Sequence, residues 1–274
     1  PDHITLWGLR LEICQHFDQY ANVRPSRLLP GIQSPLKNIG PAELDWVIVR
    51  ENTEGEYSGA GGRVHPKLPQ EVGIDVSVFT RDGIERVMRY AFELALTRPK
   101  KQLTLVTKSN AQRHGMVLWD EVFEKLKHDY PGITTDRMLV DAITTRMVLQ
   151  PQSLDTIVAT NLHADILSDL AAALSGSLGI GPTANINPER TFPSMFEPIH
   201  GSAFDLVGKD LANPLGAFWS CVMMLEHLQE KKGASLLMSA IEEVCQEGRH
   251  LPKDLGGNSC TGEVTTAVCA ALKK

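Results

Sequence analysis

The sequence lacks the features that define several common classes of protein. Its five cysteines are widely spaced, and no two of them form a Cys-x-x-Cys pair. This pattern excludes a disulfide scaffold and a cysteine-based zinc site, and it favours a protein of the reducing cytoplasm. The longest apolar run, residues 217–225, is nine residues long and contains Ser220. A membrane span needs about 20 apolar residues, so we expect no membrane-spanning helix.

Excess positive charge is absent too. Lysine and arginine together number 27 against 33 aspartates and glutamates, which gives a formal net charge of −6. This mild acidity argues against a nucleic-acid partner and against an anionic membrane surface. The dinucleotide-binding pattern G-x-G-x-x-G does not occur. The chain begins at Pro1 with neither an initiator methionine nor a signal-peptide pattern, so we expect it to be a piece of a longer protein.

What the sequence contains is an alternation of strand and helix patterns over 274 residues, of which 42% are apolar. Such alternation predicts an α/β architecture. Residues 22–25 are predicted to end the first helix, and the apolar–polar alternation of 71–80 predicts a half-buried strand in a partly antiparallel or exposed sheet. The predicted strands are 45–50, 71–80, 103–107, 134–140 and 156–159, and the predicted helices are 4–20, 81–97, 116–130, 142–149, 163–174, 215–229, 234–247 and 263–272.

The most specific local signal is a pair of aspartates directly after the predicted strand 156–159. Asp165 and Asp169 share one face of the following helix, where two like charges repel each other. A divalent cation would relieve that repulsion, and the carboxyl ends of strands are where α/β proteins bind ligands. A solvated acidic face at the start of a helix explains the pair equally well. Asp141, which follows an extended segment, is either a third ligand or a helix N-cap.

Basic residues also stand at the ends of predicted elements. Arg24 follows the first helix, Arg50 ends the strand 45–50, and Lys108 follows the strand 103–107. Converging arginines indicate a di- or tricarboxylic acid, because a guanidinium pairs with a carboxylate through two hydrogen bonds. A partly buried Lys108 is suited to act as a base, and the hydroxyl of Tyr57, in a polar loop, is suited to transfer a proton. Taken singly, each of these residues is as readily ordinary surface charge or packing.

A turn of small residues late in the chain is a weaker signal, and it indicates a phosphate-binding segment. Small side chains let backbone N–H groups approach a phosphate. An acidic residue after such a turn, here Asp205, suits a ribose 2′-hydroxyl and repels a 2′-phosphate. The segment consists of Glu197, His200, Gly201, Ser202, Ala203 and Asp205, with Asn213 downstream.

Together these strings resemble the isocitrate/isopropylmalate dehydrogenase family, and the resemblance covers essentially the whole chain. Residues 17–20, 50–58 and 188–194 are most similar to its tartrate dehydrogenase and D-malate dehydrogenase branch. The resemblance implies a two-domain α/β fold, distinct from the Rossmann fold, whose N-terminal segment is missing here. Residues 22–175 would form a small substrate and dimerisation domain, and 1–21 with 176–274 a large nucleotide-binding domain. The segments that carry the resemblance are 20–25, 49–57, 107–110, 140–142, 165–169 and 197–203.

The resemblance also implies an enzyme that oxidises a small 2-hydroxy diacid, tartrate or D-malate, with NAD and releases the β-carboxylate as CO2. Asp165 and Asp169 would bind Mn2+ or Mg2+ together with Asp141 from the second subunit of a homodimer. Lys108, also from that subunit, is the implied base, and Tyr57 is the implied acid. The implied substrate ligands are Arg24 and Arg50, and the implied cofactor residues are Asn110, Glu197, His200, Gly201, Ser202, Ala203, Asp205 and Asn213.

One position departs from the family pattern. The family places a carboxylate-binding arginine ten residues before Arg24, where this chain has Cys14. Arg10 lies one helical turn earlier on the same face, and we predict that its side chain binds a substrate carboxylate instead. Isopropylmalate-type members carry an apolar residue where Arg10 stands, so a charged residue there favours a small polar substrate.

Three alternatives stay open at this point. They are a 3-isopropylmalate dehydrogenase, a non-catalytic regulatory subunit of the same family, and a Mg2+-dependent hydrolase that uses the aspartates alone. Regulatory subunits usually lose metal or proton-transfer residues. This chain keeps Asp141, Asp165, Asp169, Lys108 and Tyr57, and their retention favours the dehydrogenase.

Overall fold

Strands and helices alternate through the computed structural model, which describes residues 2–273. The α/β prediction is therefore confirmed. The strands are β1 (Ala21–Arg27), β2 (Asp45–Glu51), β3 (Gly55–Val64), β4 (Val72–Val78), β5 (Gln102–Thr107), β6 (Thr134–Leu139), β7 (Thr156–Ala159), β8 (Pro182–Ile186) and β9 (Met195–Pro198). The α-helices are α1 (Asp2–Thr5), α2 (Leu11–His16), α3 (Arg81–Thr97), α4 (Gly115–Leu126), α5 (Val140–Leu149), α6 (Asn161–Leu174), α7 (Leu215–His227), α8 (Lys231–Glu247) and α9 (Thr261–Ala271), and a π-helical turn, Leu6–Arg10, joins α1 to α2.

A seven-stranded mixed sheet has the order β6-β5-β7-β2-β1-β8-β9. The strands from β6 to β2 are parallel, whereas β1, β8 and β9 run antiparallel to their neighbours. The antiparallel part of the sheet is therefore made by these three strands and not by residues 71–80. The carboxyl ends of β2, β5, β6 and β7 lie at one edge, and α6 begins there, directly after β7. This edge positions the candidate site.

Apolar side chains bury both faces of the sheet, because successive residues of a strand point to opposite sides. On one face, Ile48 and Ile157 pack against helices α5 to α9. On the other face, Val49 and Val158 pack against α3 and α4. Within residues 2–273 no helix is long and apolar enough to cross a bilayer.

Strand β1 replaces the predicted end of the first helix. The opening helical stretch ends at His16, and residues 22–25 lie in the middle of a strand. Sequence patterns miss β1 because its polar side chains Asn22, Arg24 and Ser26 are buried, which hides the usual apolar signal. Pro25 adds to the difficulty, since proline has no N–H to donate in a sheet.

Strands β3 and β4 form a separate two-stranded antiparallel ribbon. The prediction of a strand within 71–80 is right, but the half-buried environment is wrong, because every residue of β4 is exposed. Val72, Ile74 and Val76 are each 47–48% exposed. Strand β3 occupies a segment predicted as a polar loop. An apolar ribbon in solvent is a surface suited to contact another chain.

The division into two domains stays a prediction. Strand β1 is hydrogen-bonded to β8 with Ala21 opposite Ile186, so the main sheet continues across the boundary predicted at residue 175.

Candidate active site

Arginines from two neighbouring strands converge on one carboxylate in α6. Arg24 of β1 and Arg50 of β2 each donate from Nη1 to Asp165 Oδ1, and the distance from Arg24 is 3.1 Å. The register sets Arg24 opposite Ile48, two residues before Arg50, so both guanidinium groups lie on the face that α6 covers. The sequence prediction that these arginines converge agrees with this geometry.

Further hydrogen bonds hold each guanidinium in place. Arg50 Nε donates to Asn161 Oδ1 at 2.8 Å, and Arg24 Nη1 donates to Ser168 Oγ at 2.7 Å. The two arginines are only 4% and 2% exposed, respectively. Burial of neighbouring cations is unfavourable unless acidic groups compensate them. A dianionic ligand would supply that compensation.

Burial and neighbouring charges change the pKa values of this cluster, and for Asp165 they act in opposite directions. Burial lowers the pKa of Arg24 and of Arg50. Burial also works against ionisation of Asp165, but the charges of Arg50 and Arg24 outweigh it and lower the pKa of this carboxyl. For Asp169, burial and the nearby charge of Asp165 both raise the pKa. Cation binding between the two carboxylates would lower the pKa of Asp169 again.

Tyr57 borders the arginine cluster from the start of β3. The Cζ atom of Arg50 lies 5.4 Å from the centre of the Tyr57 ring. Burial, followed by the charge of Asp165, raises the pKa of the Tyr57 hydroxyl. The hydroxyl is therefore protonated at neutral pH and is able to donate a proton.

Arg10 lies beside the same cluster, next to the buried Cys14. Its Nε donates to Glu197 Oε1 at 3.0 Å, and its Nη2 donates to Asn185 Oδ1 at 3.1 Å. Its charge is close enough to affect the ionisation of Asp165. Burial raises the pKa of the Cys14 thiol, with the charge of Arg10 opposing the rise. Arg10 is thus a third cation at the site, and Cys14 is a neutral side chain.

Lys108 and Asp141 form a second group at the ends of β5 and β6. Lys108 Nζ donates to Asp141 Oδ1, and this hydrogen bond lowers the pKa of Asp141. Among the residues that the structure describes, no hydrogen bond or ion pair joins either of them to Asp165. The side chain of Asp141 is 67% exposed and open to a second chain. A site shared between two subunits requires this separation.

The donor set of one chain fits part of a divalent-cation site. Asp165 and Asp169 offer carboxylate oxygens one helical turn apart, the kind of ligand that Mg2+ and Mn2+ prefer. Within residues 2–273, however, no three metal-ligating side chains come together. These two carboxylates therefore supply part of a coordination shell, which further oxygen ligands, such as water, a substrate or Asp141 from a second subunit, would complete.

The predicted nucleotide-binding segment follows the short strand β9. Glu197 lies in β9, and the turn from Gly201 to Asp205 is exposed. A Cβ atom added at Gly201 would meet no heavy atom within 4 Å, so its backbone is open to a ligand. Ala203 has a left-handed φ of 42°, and His200 Nδ1 lies 3.0 Å from the Gly201 carbonyl oxygen. The exposed backbone and the small side chains agree with a phosphate-binding role.

Two predicted cofactor residues, Asn213 and Asn110, lie outside this segment and have different environments. Asn213 Oδ1 accepts from Leu215 N at 2.9 Å, and its Nδ2 donates to Asp254 Oδ2 at 2.9 Å. Its side chain is therefore already used to cap α7, which leaves the backbone for a ligand. Asn110 is exposed and stands two residues after Lys108.

Sequence reasoning misses the side chains that orient the arginines. Asn161 holds Arg50, Ser168 and Asn22 hold Arg24, and Asn185 holds Arg10. A weak signal was present, because Asn22 and Asn185 are amides inside short segments that also contain apolar residues. Amides that interrupt such segments mark buried hydrogen bonds.

Comparison with known sequences finds relatives over nearly the whole chain. Residues 5–270 match the family model described as isocitrate/isopropylmalate dehydrogenase. The chain is 67% identical over 272 residues to a probable tartrate dehydrogenase/decarboxylase of Agrobacterium vitis, covering 99% of this chain and 76% of the relative. It is 49% identical over 277 residues to D-malate dehydrogenase (decarboxylating) of Escherichia coli (strain K12), with coverage of 99% and 76%.

The fold also matches a solved structure. Isocitrate dehydrogenase from Methylococcus capsulatus superposes with a TM-score of 0.90 at 37% sequence identity, covering 97% of this chain and 77% of that chain. The mixed sheet with a separate ribbon is therefore the arrangement of a known fold.

Proposed function

The chain belongs to the isocitrate/isopropylmalate dehydrogenase family, and on that premise we propose that it oxidises a small 2-hydroxy diacid and removes the β-carboxylate. The proposed substrates are tartrate and D-malate, which two relatives carry in their names. The observation that carries this proposal is the convergence of the buried Arg24 and Arg50 on Asp165. Buried cations at a site edge favour a small dianion.

Three arginines would hold the diacid. Arg24 and Arg50 pair with one carboxylate and Arg10 approaches the other, so both ends of the substrate are fixed. A charged Arg10 in the pocket disfavours an alkyl substituent, because an apolar group beside a partly buried cation loses hydration without gaining a partner. This is the reason for preferring tartrate or D-malate over 3-isopropylmalate.

Asp165 and Asp169, with the partner subunit's Asp141, would hold Mn2+ or Mg2+. When bound, the metal supplies Lewis-acid chemistry that favours loss of the hydroxyl proton and stabilises the enolate left by decarboxylation. The charges of Arg24 and Arg50 keep Asp165 ionised, which suits it to this role.

Two side chains would move the protons. Lys108, provided by the partner subunit, would take the proton of the C2 hydroxyl at Nζ, and NAD, when bound, would supply the acceptor for the hydride of C2. Release of CO2 leaves an enolate, and the Tyr57 hydroxyl donates a proton to its carbon. The raised pKa of Tyr57 keeps that proton available at neutral pH.

NAD would lie along the segment that follows β9. Within the proposed cofactor set, Asn110 and the residues from Gly201 to Asp205 are exposed, and Glu197, His200 and Asn213 are partly buried. Asp205 favours NAD over NADP, because its carboxylate repels a 2′-phosphate. The full set is Asn110, Glu197, His200, Gly201, Ser202, Ala203, Asp205 and Asn213.

We also propose a homodimer, because one chain leaves apolar side chains uncovered on α5, on α6 and on the β3–β4 ribbon. In α6, Leu162 is 36% exposed and Ile166 is 55% exposed, and in α5 Leu149 is 76% exposed. The ribbon β3–β4 exposes further valines and an isoleucine. A second copy covering these surfaces would bring Lys108 and Asp141 to the arginine cluster.

All five cysteines are free, which supports a cytoplasmic location.

The test is a substrate panel with the purified protein. NADH formation is measured with D-malate, both chiral forms of tartrate and 3-isopropylmalate, with and without Mn2+. We expect metal-dependent turnover of D-malate or tartrate and at least tenfold lower kcat/KM for 3-isopropylmalate. Faster turnover of 3-isopropylmalate would reverse the substrate assignment, and metal binding without NAD binding or turnover would favour a hydrolase or a regulatory subunit.

A further inference from the structure

Strand β8 carries a fully buried amide, Asn185, behind the arginines of the site. Its Oδ1 accepts from Asn22 Nδ2 at 2.6 Å, from Arg10 Nη2 at 3.1 Å and from Asn52 Nδ2 at 3.1 Å. Its Nδ2 donates to Glu197 Oε1 at 3.1 Å. One side chain therefore connects residues from the first helical stretch, β1, the end of β2, and β9.

Arg10, Asn185 and Glu197 form a closed triangle of hydrogen bonds. Arg10 donates through Nε to Glu197 and through Nη2 to Asn185, while Asn185 donates to the same Glu197 oxygen. Because a guanidinium is planar, two such contacts fix both its position and its tilt. The remaining edge of Arg10 is then free to meet a ligand.

The same amide reaches Arg24 through one intermediate. Asn22 donates to Asn185 and to Thr183 Oγ1 at 2.8 Å, which fixes the orientation of its amide. Its Oδ1 then accepts from Arg24 Nε at 2.8 Å. Loss of Asn185 would remove one of the two hydrogen bonds that Asn22 Nδ2 donates, and the Arg24 guanidinium would be held less firmly.

We propose that Asn185 is a positioning residue for dicarboxylate binding, holding Arg10 directly and Arg24 through Asn22. The inference rests on the proposed function, since it concerns the same diacid. An amide suits the position because its oxygen accepts from a cation on one side and its nitrogen donates to a carboxylate on the other. Aspartate would keep the acceptor but would place a second acidic oxygen against Glu197.

The experiment compares Asn185→Ala and Asn185→Asp with the unmodified protein. Calorimetry measures the Kd of D-malate and of tartrate, and steady-state kinetics separates KM from kcat. We expect Kd and KM of the diacid to rise about tenfold or more, with kcat within about threefold, because ground-state and transition-state binding weaken together. Asn185→Asp should fail to restore affinity, since it lacks the donor to Glu197.

Asn187→Ala is the matched control. Asn187 follows β8, is 1% exposed, and is also held by hydrogen bonds, to the Asp18 carbonyl and from Thr191 and Phe192. None of the hydrogen bonds of its side chain involves an arginine. Its loss should lower the unfolding temperature and leave diacid affinity unchanged. Equal diacid Kd in the Asn185→Ala and Asn187→Ala proteins would overturn the proposal.

A double-mutant comparison identifies the route. In an Arg10→Ala background, Asn185→Ala should weaken diacid binding by clearly less than it does alone, because its direct target is already gone. Asn22→Ala removes the link to Arg24 but keeps the direct bond between Arg10 and Asn185, so it should give an intermediate loss. It replaces Asn185→Ala as the test if that variant fails to fold. Full additivity with Arg10→Ala would contradict the mechanism. An unmodified protein that binds the diacids without oxidising them would refute the proposed function while leaving the Asn185 comparison decisive.

Discussion

Among single residues, Glu51 has surroundings that predict a measurable pH dependence of stability. It is 1% exposed, and its carboxyl group accepts hydrogen bonds from Thr53 N at 2.9 Å and from Glu54 N at 2.9 Å. Burial raises the pKa of Glu51 from its ordinary value of 4.5 to about 7, although these hydrogen bonds oppose the rise. Between those values the folded protein keeps a proton that the unfolded chain has lost.

The free energy of unfolding contributed by Glu51 therefore falls as pH rises from 4.5 to about 7. Glu51→Gln should abolish this dependence. The free energy of unfolding of the parent protein minus that of the variant should therefore fall by on the order of 3 kcal/mol across that range. Urea unfolding at a series of pH values measures it. Glu12→Gln, which removes an exposed carboxylate, is the control, and identical pH slopes for parent and Glu51→Gln proteins would contradict the prediction.

Sequence patterns identify the charged residues of the site, but they do not identify the amide side chains that orient those residues. Arg50 stands out because a cation directly follows an apolar run, and Arg24 is identified by its charge although the structure places it within a strand and not after a helix. Asn185 has only the weak signal of an amide within a partly apolar segment, and that signal does not identify its partner Asn22, 163 residues away in the sequence. Hydrogen bonds between distant residues depend on strand order, and a single sequence does not specify strand order.

Among the secondary-structure elements, the start of α6 depends on a carboxylate from the ribbon. Glu56 accepts from Thr160 Oγ1 at 2.9 Å and from Leu162 N at 3.2 Å, while Thr160 itself caps the helix by accepting from His163 N. A negative charge at a helix N-terminus also interacts favourably with the helix dipole. Glu56 thus joins β3, one of the two strands of the ribbon, to the helix that carries both aspartates of the site.

Glu56→Ala should lower the free energy of unfolding by about 1–2 kcal/mol, through loss of these hydrogen bonds and of the dipole interaction. Glu56→Gln should recover part of it, because the amide oxygen still accepts one bond. Glu71→Ala is the matched control: Glu71 also accepts two hydrogen bonds, from Arg63 and Lys67 N, but it is exposed, so its loss should cost at most about 0.5 kcal/mol. Equal losses for both alanine variants, measured by urea unfolding, would refute the capping role.

The central strands are predictable because both of their faces are buried. β2 and β7 contain unbroken apolar runs and β5 is interrupted only by the buried Thr104, and sequence patterns detect such segments. β1 fails because its buried face is polar, and β3 fails because neither of its faces belongs to the core of this chain. For β1 the missing information is the buried polar cluster that its side chains contact, which joins residues distant in the sequence.

For the whole molecule, the structure divides the proposed catalytic set into two groups within one chain. Tyr57 stands with Arg50 and Asp165, whereas Lys108 stands with Asp141. The family resemblance predicted that the second group serves a partner subunit, and neither periodicity nor composition gives that information. If the prediction holds, each complete site combines Tyr57 of one subunit with Lys108 of the other.

Subunit mixing tests that arrangement. Tyr57→Phe and Lys108→Met should each be inactive as homodimers. After random reassociation of equal amounts, half of the dimers contain one copy of each, and in those dimers one site has both Tyr57 and Lys108 while the other has neither. Activity should therefore return to about a quarter of that of the unmodified protein, from statistics alone. A mixture of Tyr57→Phe with the Tyr57→Phe/Lys108→Met double variant restores no intact site and is the control. If each site lay within one chain, every site in the first mixture would still lack one residue, and the mixture would stay inactive.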